Sequence, residues 1–183
     1  MPYFALIDTE TNWADQVMSI GTVIADADTF RPVAAKYHIL PAYCEIGGMY
    51  DDALFLKTPV SPVCCTRPVA MRELRDWLGR YDVTSVFAYN ARFDKTHLPE
   101  LGSLRWYDIM RLAAYRQYNP KIPETAELCS TGRLKRGYGV EAMLRLLSGN
   151  DGYHETHNAI LDALDELEVM RLLGHGLEDY IPL

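Results

Sequence analysis

Asp8 and Glu10 stand two residues apart where an apolar run, YFALI at residues 3–7, gives way to polar chain. Side chains alternate along an extended backbone, so residues at this spacing point the same way and both carboxylates share one side. Two acids so placed repel unless a cation neutralises them, and hard oxygen donors of this kind suit Mg2+ or Mn2+. Taken alone, the pair also reads as two solvated acids at a strand end. A second acid, Asp94, follows the apolar and aromatic run SVFAY at residues 85–89. It reads either as a helix-start acid favoured by the helix dipole or as a group at the sheet rim, where open sheets hold ligands. The third group lies in HETHNAILDALDELEVM, residues 154–170. His157 and Asp162 are five positions apart, which on a regular helix separates them by about 140°. They converge only if His157 sits in the turn before the helix and Asp162 one turn inside it. The plainer alternative is a surface histidine beside an acidic helix start.

Gathering these groups requires a sheet whose strand ends lie together. Residues 3–7, 17–25 and 33–40 read as three strands joined by short turns, an antiparallel meander. Residues 69–78, with Val69, Leu74, Trp77 and Leu78 as apolar positions, suit a helix that stops at Gly79. The run 85–89 reads as a buried parallel strand and 92–101 as the helix after it. A short strand at 104–107 and helices at 109–115 and 140–147 follow. The last element, 158–173, is a helix with Ile160, Leu164, Leu167 and Met170 on one stripe. Strands first, then helix and strand in alternation, give an α/β architecture: a mixed central β-sheet flanked by helices. Residues 41–68 carry Pro41, Pro59, Pro62, Pro68 and the pair Gly47 and Gly48, with no sustained period. This stretch is an irregular Pro-rich insertion with one short helix near 50–56, long enough to suggest a function.

At 183 residues and 49% hydrophobic content, the chain suits a single domain spanning 1–183. No run approaches a membrane span and the first residues do not resemble a secretory signal, so a cytoplasmic location is expected. Cys44, Cys64, Cys65 and Cys129 form no CxxC pair and read as reduced thiols rather than a zinc site. The formal charge of −7 argues against binding nucleic acid by a broadly basic surface. Two divalent cations held by four of the acids would offset four charges, leave −3, and make the local field attractive to phosphate.

Together the three clusters resemble the DEDDh exonuclease family, which includes proofreading subunits of the DnaQ type, RNase T and oligoribonuclease. IDTET resembles the first motif, with Asp8 and Glu10 in its acidic positions. YNARFDKTHL resembles the second, with Asn90, Phe93, Asp94 and Leu98 in place. HNAILDA resembles the third, in which a histidine precedes an aspartate by five, here His157 and Asp162. The motifs come in the family's order and span the chain from Asp8 to Asp162. Two departures bear on substrate preference: Asn12 and Trp13 replace the small residue often found after the first motif, and Tyr89 stands where a histidine often precedes the asparagine.

The resemblance implies an RNase H-like exonuclease fold and two Mg2+ or Mn2+ ions held by Asp8, Glu10, Asp94 and Asp162, with His157 as general base and His154 as runner-up. It implies 3′-to-5′ removal of 5′-mononucleotides from single-stranded or 3′-overhanging DNA or RNA, in proofreading, repair or end-trimming, including prespacer trimming in CRISPR adaptation. Thr9, Thr11, Trp13, Asn90 and Phe93 are the expected substrate contacts. Trp13 is read as a stacking platform, against the alternative of a core tryptophan, and Phe93 as packing beneath the site. Arg133, Lys135 and Arg136 would track the strand backbone or simply form a solvated loop. The insertion offers a docking surface for a partner protein or a second copy. The alternative function is a catalytically silent module of the same fold that binds a nucleic-acid end or a partner.

Overall fold

The computed structural model describes residues 2–183. Its centre is a six-stranded mixed sheet of strands β1 (Tyr3–Thr11), β2 (Val17–Asp26), β3 (Pro32–Ile39), β4 (Val63–Cys64), β5 (Ser85–Ala88) and β6 (Arg105–Asp108), in the order β4-β3-β2-β1-β5-β6. β1, β2 and β3 form the antiparallel meander, while β5 and β6 join parallel to β1 through helical crossovers. The helices are α1 (Pro41–Cys44), α2 (Arg67–Arg80), α3 (Arg92–His97), α4 (Met110–Ala113), α5 (Val140–Ser148) and α6 (Ala159–Leu173).

β1 is buried on both faces, which follows from its unbroken apolar run. Phe4 and Leu6 enter one core with Ile160, Met170, Met143 and Leu144 of α6 and α5. Ala5 and Ile7 enter the other with Leu74 and Trp77 of α2. Gly21 on β2 pairs with Asp8 on β1, and a Cβ built at Gly21 would lie 2.0 Å from the backbone oxygen of Ala159. The missing side chain therefore lets the first turn of α6 come down onto the sheet beside the acidic end of β1.

Several boundaries differ from the sequence expectation, each for a local reason. β1 runs four residues past the apolar stretch because β2 pairs with it through Glu10, so Asp8 and Glu10 lie within the strand. The helix expected at 92–101 stops at His97. Leu98 leaves the helical region at φ −123 and ψ 58, as a residue before proline tends to, and Pro99–Leu101 form a separate 3-10 turn. In the insertion the expected helix near 50–56 is only a 3-10 turn, Asp51–Ala53. The insertion also contains α1 and a two-residue strand, β4, parallel to β3, both too short to leave a period in the sequence. On α6 the buried apolar face comprises Ala159, Ile160, Ala163, Leu167, Val169 and Met170, with Leu164 at its margin.

The two sheet edges are short. β4 covers β3 at His38 and Ile39 alone, and β6 is met by an isolated bridge between Tyr107 and Pro182 and by the Leu183 N–H, which donates to the Trp106 carbonyl at 2.8 Å. Among the described residues, no helix is long and apolar enough to cross a membrane.

Candidate active site

The acids gather at the C-terminal ends of the parallel strands β1 and β5. Asp8 and Glu10 come from β1, Asp94 from α3 just past β5, and Asp162 from the first turn of α6. Asp94 is 2% exposed and Asp162 is 3% exposed. The Thr9 hydroxyl donates to Asp94 Oδ1 at 2.8 Å, joining β1 to α3. His157 lies in the loop before α6 with φ 54, the left-handed region that residues other than glycine seldom adopt. That bend turns the imidazole back, and one ligand atom each of Glu10, His157 and Asp162 lies within 4.8 Å of the others. The 140° separation of a continuous helix is thus avoided by keeping His157 out of the helix.

Burial and mutual repulsion among the acids govern the electrostatics. Asp8 is held well above the carboxylate range by burial first and then by Asp94, Glu166, Asp162 and Glu10. Burial, reinforced by the neighbouring acids, pushes Glu10 up to about 8 and Asp162 up to about 9. Burial pushes Asp94 up to about 7, although the Thr9 hydrogen bond pulls the other way. Asp8 Oδ2 and Asp162 Oδ1 are buried and have no hydrogen-bond partner in the protein. Hard oxygen atoms left unpaired in a crowded anionic cluster fit a divalent cation, which supplies the missing partners and the missing charge.

Three groups in or beside this cluster are absent from the motif reading. Glu166 is 1% exposed; its Oε1 accepts the Tyr89 N–H at 2.8 Å and its Oε2 has no partner. It lies four residues after Asp162, hence on the same helix face, and this spacing was the available signal. Glu155 raises both Glu10 and Asp162, and no pattern marks it out. Tyr50 of the insertion stacks on His157 with ring centroids 3.7 Å apart and planes 15° apart. Only the fold brings these two rings together.

The other expected contacts are dispersed around the cluster. Trp13 is 66% exposed, so it is no core tryptophan, and its backbone N–H donates to the Gly47 carbonyl at 3.0 Å. Thr11 is half-buried at the end of β1, and the Thr9 hydroxyl is engaged by Asp94. Asn90 is exposed with φ 61, its N–H held by Asp108 Oδ1 at 2.9 Å. Phe93 does not pack beneath the site; it is exposed on α3 with its ring against His97. His154 is exposed and turned to Arg145 and Glu141. Lys135 and Arg136 are exposed, while Arg133 lies over the ring of Tyr138.

No protein-family model and no curated protein sequence matches this chain. Solved structures do. The nuclease domain of 3′hExo, described as a DEDDh family member bound to rAMP, aligns with a TM-score of 0.66 at 14% identity over 100% of this chain and 96% of that one. A 3′-exonuclease solved in a study of 3′-end-specific recognition of a histone mRNA stem-loop aligns with a TM-score of 0.65 at 12% identity, over 100% of this chain and 70% of the other. E. coli Exonuclease I in complex with a dA16 oligonucleotide aligns with a TM-score of 0.58 at 13% identity, over 98% of this chain and 42% of that larger protein. The architecture of this chain is therefore the α/β, RNase H-like exonuclease fold that the DEDDh nuclease domain of 3′hExo also has.

Proposed function

We propose that this chain is a DEDDh-type 3′-to-5′ exonuclease that removes 5′-mononucleotides from single-stranded or 3′-overhanging nucleic acid. The observation that carries the reading is the convergence of Glu10, Asp162 and His157 within 4.8 Å, beside carboxylate oxygens that no protein group satisfies. A nuclease needs such a cluster, whereas a module that only binds an end has no use for buried, mutually repelling acids.

Asp8, Glu10, Asp94 and Asp162 are the residues that would hold two Mg2+ or Mn2+ ions. When bound, these ions draw charge from the scissile phosphate and stabilise the oxygen that departs. His157 takes the proton from the attacking water at a ring nitrogen. Its pKa is lowered, chiefly by burial, so the neutral ring that can accept a proton predominates at neutral pH. The water oxygen bonds to phosphorus as the bond to the 3′ oxygen of the preceding nucleotide breaks, and that oxygen takes up a proton. The Thr9 hydroxyl holds Asp94 in place meanwhile. Exposed Trp13 and Phe93 offer faces for the terminal bases, and the exposed Asn90 offers an amide to hydrogen-bond a nucleotide.

The test uses 5′-labelled single-stranded DNA and RNA and 3′-overhang duplexes, with Mg2+ or Mn2+. The expected result is a ladder shortening from the 3′ end, lost with EDTA and in Asp94→Asn, and lowered about 10²- to 10⁴-fold in His157→Ala. Binding of these ends without cleavage under every metal condition would instead support the catalytically silent module.

A further inference from the structure

General bases are commonly aimed by a hydrogen bond from the far side of the ring. Here that partner is missing: among the described residues, His157 has a ring stack with Tyr50 and no hydrogen bond to either ring nitrogen. The residue also holds a left-handed backbone conformation with φ 54, which the surrounding structure must stabilise.

Tyr50 is well supported for that task. The insertion is tied to both sides of the site. On the β1 side Asn12 Nδ2 donates to the Tyr43 carbonyl at 2.9 Å, and Asn12 forms an isolated bridge with Gly48. On the α6 side Asn158, next to His157, donates to the Ala53 carbonyl at 2.7 Å and to the Tyr37 hydroxyl at 3.1 Å. The Tyr37 hydroxyl in turn donates to the Leu54 carbonyl at 2.8 Å. Tyr50 therefore sits between two anchors, with its ring face to face with the imidazole at 3.7 Å and 15°.

We propose that Tyr50 is a positioning residue for His157, and that the Pro-rich insertion completes the active site by aiming the imidazole through ring stacking rather than a hydrogen bond. The proposal rests on the exonuclease reading for its effect on rate, but not for the stack itself. The Tyr50 hydroxyl makes no hydrogen bond among the described residues, so Tyr50→Phe preserves the aimed ring and Tyr50→Leu removes the aromatic face.

The experiment records the His157 ring-proton resonances by NMR in the metal-free protein, together with kcat and KM on labelled single-stranded DNA in Mn2+. The resonances are first identified by their loss in His157→Gln. In the wild type and Tyr50→Phe the ring protons should lie upfield, shielded by the neighbouring ring, with similar kcat. In Tyr50→Leu they should move downfield, and kcat should drop by about tenfold with KM within about threefold, part of the full loss expected without a general base. Unmoved resonances in a folded Tyr50→Leu protein would overturn the proposal, as would moved resonances with wild-type kcat. If the wild type gives no cleavage sensitive to Asp94→Asn, the exonuclease reading fails, and the NMR arm still decides whether Tyr50 orients the imidazole.

Discussion

Burying Asp8, Glu10, Asp94, Asp162 and Glu166 together leaves each of them holding its proton more tightly than an exposed carboxyl would. An unfolded chain releases those protons near pH 4, whereas the folded chain keeps them until about 7 at Asp94, about 8 at Glu10 and about 9 at Asp162. The folded state thus binds more protons across that interval. Its stability is full below the unfolded values and drains away as pH rises through the folded ones. The thermal midpoint of the metal-free protein should accordingly fall between about pH 5 and pH 9, and Mg2+ or Mn2+ should raise it more at the alkaline end. Glu166→Gln removes one buried ionisable group while leaving an amide oxygen to accept the Tyr89 N–H, so it should flatten the decline. Differential scanning calorimetry with EDTA and with metal decides this; a midpoint independent of pH would mean that the carboxylates are not held protonated. The motif acids were readable because type, spacing and order agreed in three separate segments. Glu166 is not marked as part of the site in the sequence, because DALDELEVM holds four acids in close succession with nothing to tell the buried ones apart, and only the packing of α6 separates Asp162 and Glu166 from Asp165 and Glu168.

Elements bring these residues together, and the tightest junction is between α6 and β2. A side chain at Gly21 would collide with backbone rather than with a flexible tip, so Gly21→Ala must push the start of α6 off the sheet. Overpacking of this kind costs about 1–3 kcal/mol, readable as a lower urea midpoint. Because Asp162 rides on the displaced turn, metal affinity should fall more than stability alone explains. An unchanged urea midpoint would show that the helix can shift freely. The strand and helix order was legible, since apolar runs and helical periods dominate those stretches. The insertion was legible only as an absence of pattern. Its structure comes from single hydrogen bonds by Asn12, Tyr37 and Asn158, which have no period, and from a β4 too short to display one. For the same reason the stack of Tyr50 on His157, 107 positions along the chain, could not be anticipated.

At the scale of the whole molecule, a formal charge of −7 leaves few cations to grip a phosphate backbone. If Arg133, Lys135 and Arg136 supply the backbone contacts, about three phosphates are neutralised, and log affinity against log salt for a single strand should have a slope of about −2. Fluorescence anisotropy with Asp94→Asn, which leaves those side chains untouched, measures it. A much steeper slope would mean that a larger basic track exists elsewhere. The two short sheet edges have a different consequence. An open strand edge offers its N–H and C=O groups to any passing chain, and here that exposure is limited by β4 on one side and by Pro182 and Leu183 on the other. The segment that brings Tyr50 to His157 thus also returns to shield β3. Shortening it to probe catalysis would extend the open edge of β3 through His38 and Ile39, so a shortened variant should self-associate more readily than the intact chain, and light scattering belongs beside the rate measurement.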